Sequence, residues 1–259
     1  MIDLKLTLID SAQAFNWTED GGAFYGVVNG RGYRVTQDDC PLPGGYLGLD
    51  RDPAGLLCEY GHIPEARAAL TKLPGLRVMR QDAWETVISF ILSANNNVSR
   101  IRKLTGALCR AYGDPVSAEG RTLYAFPAPE VLAGAREADL RSLGVGYRAP
   151  YLIETAAAVA GGFDLEGLKR LPYGEAHKEL LTLKGVGDKV ADCILLFGLG
   201  FEEAFPVDVW VARLMDEWFG IRGTPQKVAA QAREKFGAHG GLLQQYLFHA
   251  ERTGLLDEK

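Results

Sequence analysis

Leu180 to Phe197 reads LLTLKGVGDKVADCILLF, an apolar helical run that meets Gly185-Val186-Gly187 and resumes at once as a second apolar helix. Two glycines permit a turn in conformations closed to other residues, so the segment reads as a helix–hairpin–helix. At such a hairpin the backbone can approach a ligand closely, and the unpaired N–H groups that open the new helix favour an anion, as a DNA phosphate would be. Contact of that kind positions a protein on DNA without reading sequence. The turn carbonyls leave room for a monovalent cation, and a purely structural glycine turn is the plain alternative.

Upstream, in QDAWETVISFILSA from Gln81, residues Trp84, Val87, Ile88, Ile91 and Leu92 recur at three- and four-residue spacing and predict one apolar helical stripe. Breaks at Gly113-Asp114-Pro115, Phe126-Pro127, Gly144-Val145-Gly146, Gly161-Gly162, Leu171-Pro172, Phe205-Pro206 and Gly223-Thr224-Pro225 divide the remainder into short helices joined by turns. Before Gln81 the pattern is different. Phe24–Val28 and Tyr33–Thr36 are β-like runs around Asn29-Gly30, a strong hairpin signal, and Gly44–Leu49 is expected to add a strand. Pro53–Tyr60 and Pro64–Leu73 read as short helices opened by proline. The class is therefore α+β: an N-terminal antiparallel sheet with short helices over residues 1–78, then a helical domain over 79–259 that carries the hairpin at 174–198, with the sheet confined to the N-terminal part.

The 259 residues are 47% hydrophobic and can bury a sizeable core. A net charge of −5 argues against coating nucleic acid through overall charge. The acid is unevenly spread, however: Arg100–Arg110, RIRKLTGALCR, holds four basic residues and no acid, so a local basic face is open, as is an ordinary solvated helix. Cys40, Cys58, Cys109 and Cys193 lack zinc-type spacing and read as reduced thiols, which places the protein in the cytoplasm, at the nucleoid if it is prokaryotic. Met1–Phe15 lacks the features of a signal peptide, Asp192 interrupts the apolar run that follows Val190, and no membrane role is expected.

Lys189 lies in the first turn of the second hairpin helix, where the macrodipole and nearby Lys184 both disfavour a cation. A neutral lysine amine is a nucleophile, although a lysine at a helix start is also ordinary solvated surface. Asp208 precedes VWVARLMDEWF, in which Val211, Leu214, Met215 and Trp218 recur at helical spacing, and it suits an N-cap. The pair offers more than either residue. Displacing a base from deoxyribose by an amine needs a carboxylate to stabilise positive charge at the anomeric carbon and to relay protons.

LKGVGDKVADC followed by FPVDVW resembles the helix–hairpin–helix superfamily of DNA base-excision glycosylases, and within it the 8-oxoguanine DNA glycosylases. Ser11-Ala12-Gln13-Ala14-Phe15-Asn16-Trp17 is similar to the base-pocket motif of that branch, Ser93–Arg100 to its asparagine-rich turn, and Gly146-Tyr147-Arg148 matches as well. Methyladenine and adenine relatives usually lack lysine at the place of Lys189, so the resemblance implies lyase activity. Endonuclease III carries that lysine but usually adds a C-terminal four-cysteine cluster, and no cysteine follows Cys193 here.

Carried over residue by residue, the resemblance implies Lys189 as nucleophile and Asp208 as its acidic partner. Asn95 would fill the gap left by a flipped base, Tyr147 would wedge into the stack, and Arg100 with Arg148 would hydrogen-bond the orphaned cytosine. Phe248 would stack on the extruded base, Gln244 would meet its Watson–Crick edge and Cys193 would form the opposite wall. The carbonyl of Ala12 would accept the N7 hydrogen that distinguishes 8-oxoguanine. By pattern alone, Asn95–Asn97 are a helix cap, Tyr147 is core, each arginine is a phosphate contact or solvated charge, and Phe248, Gln244 and Cys193 are core. Two departures stand out: Ala12 replaces a glycine, and Trp210 a histidine, of the animal enzymes. The implied activity is bifunctional excision of 8-oxoguanine opposite cytosine from double-stranded DNA by a monomer, with no redox cofactor and no catalytic metal. A glycosylase for another damaged purine and a non-catalytic damaged-DNA binding module are the alternatives.

Overall fold

The computed structural model describes residues 1–256. Thr18–Asp20 (β1), Ala23–Val28 (β2) and Arg31–Val35 (β3) form an antiparallel sheet in the order β1-β2-β3. Asn29 and Gly30, with φ of 50° and 72°, make the two-residue turn that pairs Val28 with Arg31, as the Asn-Gly signal predicts. Leu4, Leu8, Trp17, Phe24, Val28, Val35 and Met79 pack into a small core beside this sheet.

Two expectations fail. Gly44–Leu49 is a run of turns rather than a strand, because Leu47 and Leu49 donate their N–H groups to the carbonyls of Pro43 and Gly44, consuming locally what a strand would offer a neighbour. Nor is the sheet confined to the N-terminal part. Pro115–Ala118 (β4) and Arg121–Tyr124 (β5) make a second hairpin inside the helical region, and it packs against β3. Gly113-Asp114-Pro115 therefore opens a strand, a position where a proline gives up no ladder hydrogen bond.

The helices are Pro53–Tyr60 (α1), Pro64–Lys72 (α2), Ala83–Ser93 (α3), Val98–Tyr112 (α4), Pro129–Ala133 (α5), Glu137–Ser142 (α6), Ala149–Ala160 (α7), Tyr173–Leu180 (α8), Asp188–Ile194 (α9), Val209–Phe219 (α10), Pro225–Phe236 (α11) and Gly240–Thr253 (α12). The stripe expected on α3 widens into a helix buried from Thr86 to Leu92, because α4, α7 and α9 surround it. Trp84, at its exposed end, is only half-buried and donates Nε1–H to the Pro127 carbonyl. The larger core extends from Phe15 to Ala250, and it includes α1 and α2. Tyr60 donates its hydroxyl to the Phe236 carbonyl at 2.6 Å and Tyr246 to that of Leu76 at 2.7 Å, fastening the early helices to α11 and α12.

Candidate active site

The hairpin joins α8 to α9 through residues 181–187, and α9 runs on as a wider helical segment, Leu195–Leu199. Gly185 is required twice over: its φ is +80°, and a Cβ there would stand 2.8 Å from that of Tyr151. Gly187 differs, since a Cβ would meet nothing within 4 Å, so the start of α9 faces open space. Thr155 fixes the turn by donating its hydroxyl to the Lys184 carbonyl at 2.7 Å. The carbonyls of Gly185 and Val186 accept no hydrogen bond from a described residue.

Lys189 is half-buried in the first turn of α9. Its Nζ donates to Ser93 Oγ at 3.1 Å and lies 5.0 Å from the centroid of the Phe90 ring. Ser93 gives its own hydroxyl hydrogen to the Phe90 carbonyl at 2.7 Å, which leaves the oxygen free to accept from the lysine. Phe90 is in turn fixed by stacking on Phe197 at 5.5 Å. One turn after Lys189, burial pushes the Cys193 thiol up to about 12; Lys189 opposes the shift, and Asp192 and Asp208 add to it.

Asp208 caps α10. Its Oδ1 accepts from the Trp210 and Val211 amides at 3.0 and 2.9 Å, as the N-cap reading predicts, and its second carboxylate oxygen accepts no hydrogen bond from a described residue. Trp210, beside it, is partly exposed and carries the Arg213 guanidinium 4.9 Å above its ring.

A cavity of about 960 Å³ brings Ala12, Asn95, Lys189, Cys193, Asp208, Gln244 and Phe248 onto one surface. Gln244 is buried, donates Nε2–H to the Pro206 carbonyl at 3.3 Å, and leaves Oε1 with no partner. Such an orphan is costly unless something else fills it. Ala12 adopts φ of +61°, a conformation that explains why a glycine suits this position. Phe15, Phe90, Ser93, Trp210, Gln245 and Arg252 also line the walls and were given no role by sequence reasoning. Ser93 had a detectable signal, since it opens the asparagine-rich motif and stands three residues after Phe90 on α3.

Asn95, at φ +49°, reaches out of the cavity and donates Nδ2–H to the Tyr147 hydroxyl at 3.3 Å; Tyr147 is 46% exposed, so these two side chains protrude together. Arg148 and Arg100 do not line the cavity. Arg148 is buried and spends its donors on the carbonyls of Ala94, Val145 and Asn95, while its guanidinium lies 4.5 Å from the Tyr147 ring centroid. Arg100 is exposed and donates to the Gly144 carbonyl at 3.3 Å. Among the described residues, no group of His, Cys, Asp and Glu could hold a metal ion, and no helix is long and apolar enough to cross a membrane.

Over 71% of its length the chain is 40% identical to a probable N-glycosylase/DNA lyase of Methanothermobacter thermautotrophicus, and the match covers 66% of that protein. An N-glycosylase/DNA lyase of Saccharomyces cerevisiae is 36% identical over 68% of the chain and 50% of its own length. The fold superposes with a TM-score of 0.90 on the 8-oxoguanine glycosylase/lyase of Clostridium acetobutylicum in complex with double-stranded DNA containing cytosine opposite 8-oxoguanine, at 31% identity, covering 98% of this chain and 93% of that one. Residues 88–238 match the family described as HhH-GPD superfamily base excision DNA repair protein, and the chain, whose hairpin and Lys189 fall inside that span, belongs to this superfamily.

Proposed function

We propose that this chain excises 8-oxoguanine opposite cytosine from duplex DNA and then cleaves the abasic strand by β-elimination, acting as a monomer in the cytoplasm. The observation that carries the reading is a single cavity lined by Lys189, Asp208 and Gln244, in which Asp208 keeps an oxygen outside its cap hydrogen bonds and the buried Oε1 of Gln244 has no partner. Four unpaired cysteines support the reducing compartment.

Excision begins when the damaged nucleotide leaves the stack and enters the cavity, with Asn95 and Tyr147 occupying the space it vacates. Phe248 stacks on the base, Gln244 Oε1 accepts from its Watson–Crick edge, and the Ala12 carbonyl takes the N7 hydrogen. The Lys189 amine, once it has given up its proton, attacks the anomeric carbon while Asp208 stabilises the positive charge that develops there. The glycosidic bond breaks and the base departs with the bonding electrons and a proton. Opening of the sugar ring gives a Schiff base between Lys189 and C1′. Loss of a C2′ proton then expels the 3′ phosphate, breaking the strand. The start of α9 and the hairpin amides hold a backbone phosphate, and the exposed Arg100 addresses the cytosine, while Arg148, buried on the Ala94, Val145 and Asn95 carbonyls, holds the turn that carries Asn95 and would have to release those bonds to reach the base. A monovalent cation on the Gly185 and Val186 carbonyls would supply positive charge next to that phosphate.

Borohydride trapping on a duplex carrying 8-oxoguanine opposite cytosine tests the reading. Wild type forms a covalent adduct and Lys189→Gln forms none. An adduct from the variant removes Lys189 as nucleophile, and adducts formed only with alkylated purines overturn the substrate.

A further inference from the structure

The loop that contributes Ala12 to the cavity shows a pattern the catalytic roles do not explain. Around it, four backbone carbonyls are each taken by a side chain from a distant element. Arg102 of α4 donates to the Ile9 carbonyl and Arg252 of α12 to that of Asp10. Gln245 of α12 donates to the Ser11 carbonyl at 2.7 Å, and Gln81, just before α3, to that of Gln13 at 2.7 Å. Between them the Ala12 carbonyl accepts no hydrogen bond from a described residue, and Ala12 lines the cavity.

The arrangement is expensive to maintain. The Nε atoms of both arginines are buried with no partner, and burial draws both guanidinium groups below their ordinary value, with Asp10 opposing. Ala12 itself is held at positive φ, a conformation a non-glycine residue adopts only when its surroundings over-determine it. Gln13 adds to the restraint: its amide bonds the Thr7 and Arg77 carbonyls and receives the Met79 N–H at 2.8 Å.

The geometry points to a carbonyl clamp, in which Arg102, Arg252, Gln245 and Gln81 act as positioning residues that hold one unpaired acceptor, the Ala12 carbonyl, rigidly toward the extruded base and so set selectivity for a purine bearing a hydrogen at N7. This rests on the excision of 8-oxoguanine proposed above. A carbonyl held in place discriminates better than one on a mobile loop, because it cannot swing away to relieve its contact with a base that lacks the hydrogen.

Arg102 offers the cleanest test because it lies outside the cavity lining. For Arg102→Met and Gln81→Met, three quantities are measured: single-turnover excision of 8-oxoguanine opposite cytosine, cleavage at a preformed abasic site, and the melting temperature. Abasic-site cleavage needs Lys189 but no base reading, so a clamp predicts that excision falls about tenfold while abasic cleavage holds, and that Arg102→Lys, which still donates, restores excision. A parallel fall in excision and abasic cleavage marks a merely structural role and overturns the clamp, as does undiminished excision in both methionine variants. Were the wild type itself to leave 8-oxoguanine in place while cleaving abasic sites, the substrate assignment would fall and the clamp with it; normal wild-type excision with unaltered variants sinks the clamp alone.

Discussion

The two walls of the cavity are built on opposite plans. On the α9 side, the two groups proposed to react are already anchored: Lys189 is hydrogen-bonded to Ser93, and one oxygen of Asp208 is fixed by two amides. On the α12 side, two acceptors at the cavity wall lack partners, the buried Gln244 Oε1 and the Ala12 carbonyl, although Gln245 and Arg252 of the same helix tie down the backbone on either side of Ala12. A chemical wall profits from groups placed before the substrate arrives, whereas a reading wall profits from acceptors that only the right base can satisfy. Removing a group from the first should therefore cost rate, and removing one from the second should cost selectivity.

Asp208→Asn tests the chemical wall and carries the largest expected effect. Asparagine keeps an oxygen for the Trp210 and Val211 amides, so α10 stays capped and the melting temperature stays close to wild type. The charge is gone, however, and single-turnover excision should drop about 10²–10³-fold with little change in DNA affinity, the scale found when one stabiliser of a developing charge is removed. A drop confined to affinity would mean that Asp208 serves binding, and the contrast between the walls would fail.

Gln244→Leu addresses the reading wall, and its two consequences point in opposite directions. Deleting a buried acceptor with no partner should raise the melting temperature of the free protein, since such a group costs about 1–3 kcal/mol. Excision of 8-oxoguanine should nevertheless fall between about tenfold and a hundredfold, because the base edge then loses its acceptor. Calorimetry paired with excision kinetics checks both signs, and a variant that is less stable yet equally selective would show that Gln244 is ordinary core.

That Lys189 and Asp208 belong together was legible in the sequence because their signals are local, and the structure places both on one cavity. A lysine just past a glycine hairpin and an aspartate at a helix start can each be read within a dozen residues. The reading wall was legible only through resemblance: Ala12, Cys193, Gln244 and Phe248 come from three remote segments, and by spacing alone the last three are core. Arg102 and Arg252 were invisible, since nothing local says that a charged side chain will turn inward to bond a carbonyl ninety or more residues away. Similar reasons account for the fold. Asn29-Gly30 specified its hairpin, but Pro115 looked like a helix breaker: its strand partner follows across the two-residue turn Glu119-Gly120, and the sheet edge that stabilises so short a hairpin, β3, is supplied by tertiary structure.

The smallest expected effect separates scaffold from chemistry. Glu85, near the start of α3, is pushed up to about 8 by burial, with Asp82 adding to the shift, while Ser93 at the other end of the same helix touches Lys189. An acid raised above its ordinary 4.5 is neutral in the folded protein and ionised when unfolded between those values, so its contribution to stability is complete below about 4.5 and is lost as pH rises toward about 8. Glu85→Gln keeps the neutral form at every pH. Its melting temperature should match wild type near pH 4.5 and exceed it increasingly toward pH 8, a difference of a few degrees readable by thermal scans across that range. The pH profile of single-turnover excision should be unmoved, because Glu85 lies two helical turns from the amine's partner Ser93 and outside the cavity lining. If that profile shifted with the substitution, the chemical wall would be coupled to the scaffold beneath it rather than set by its own contacts.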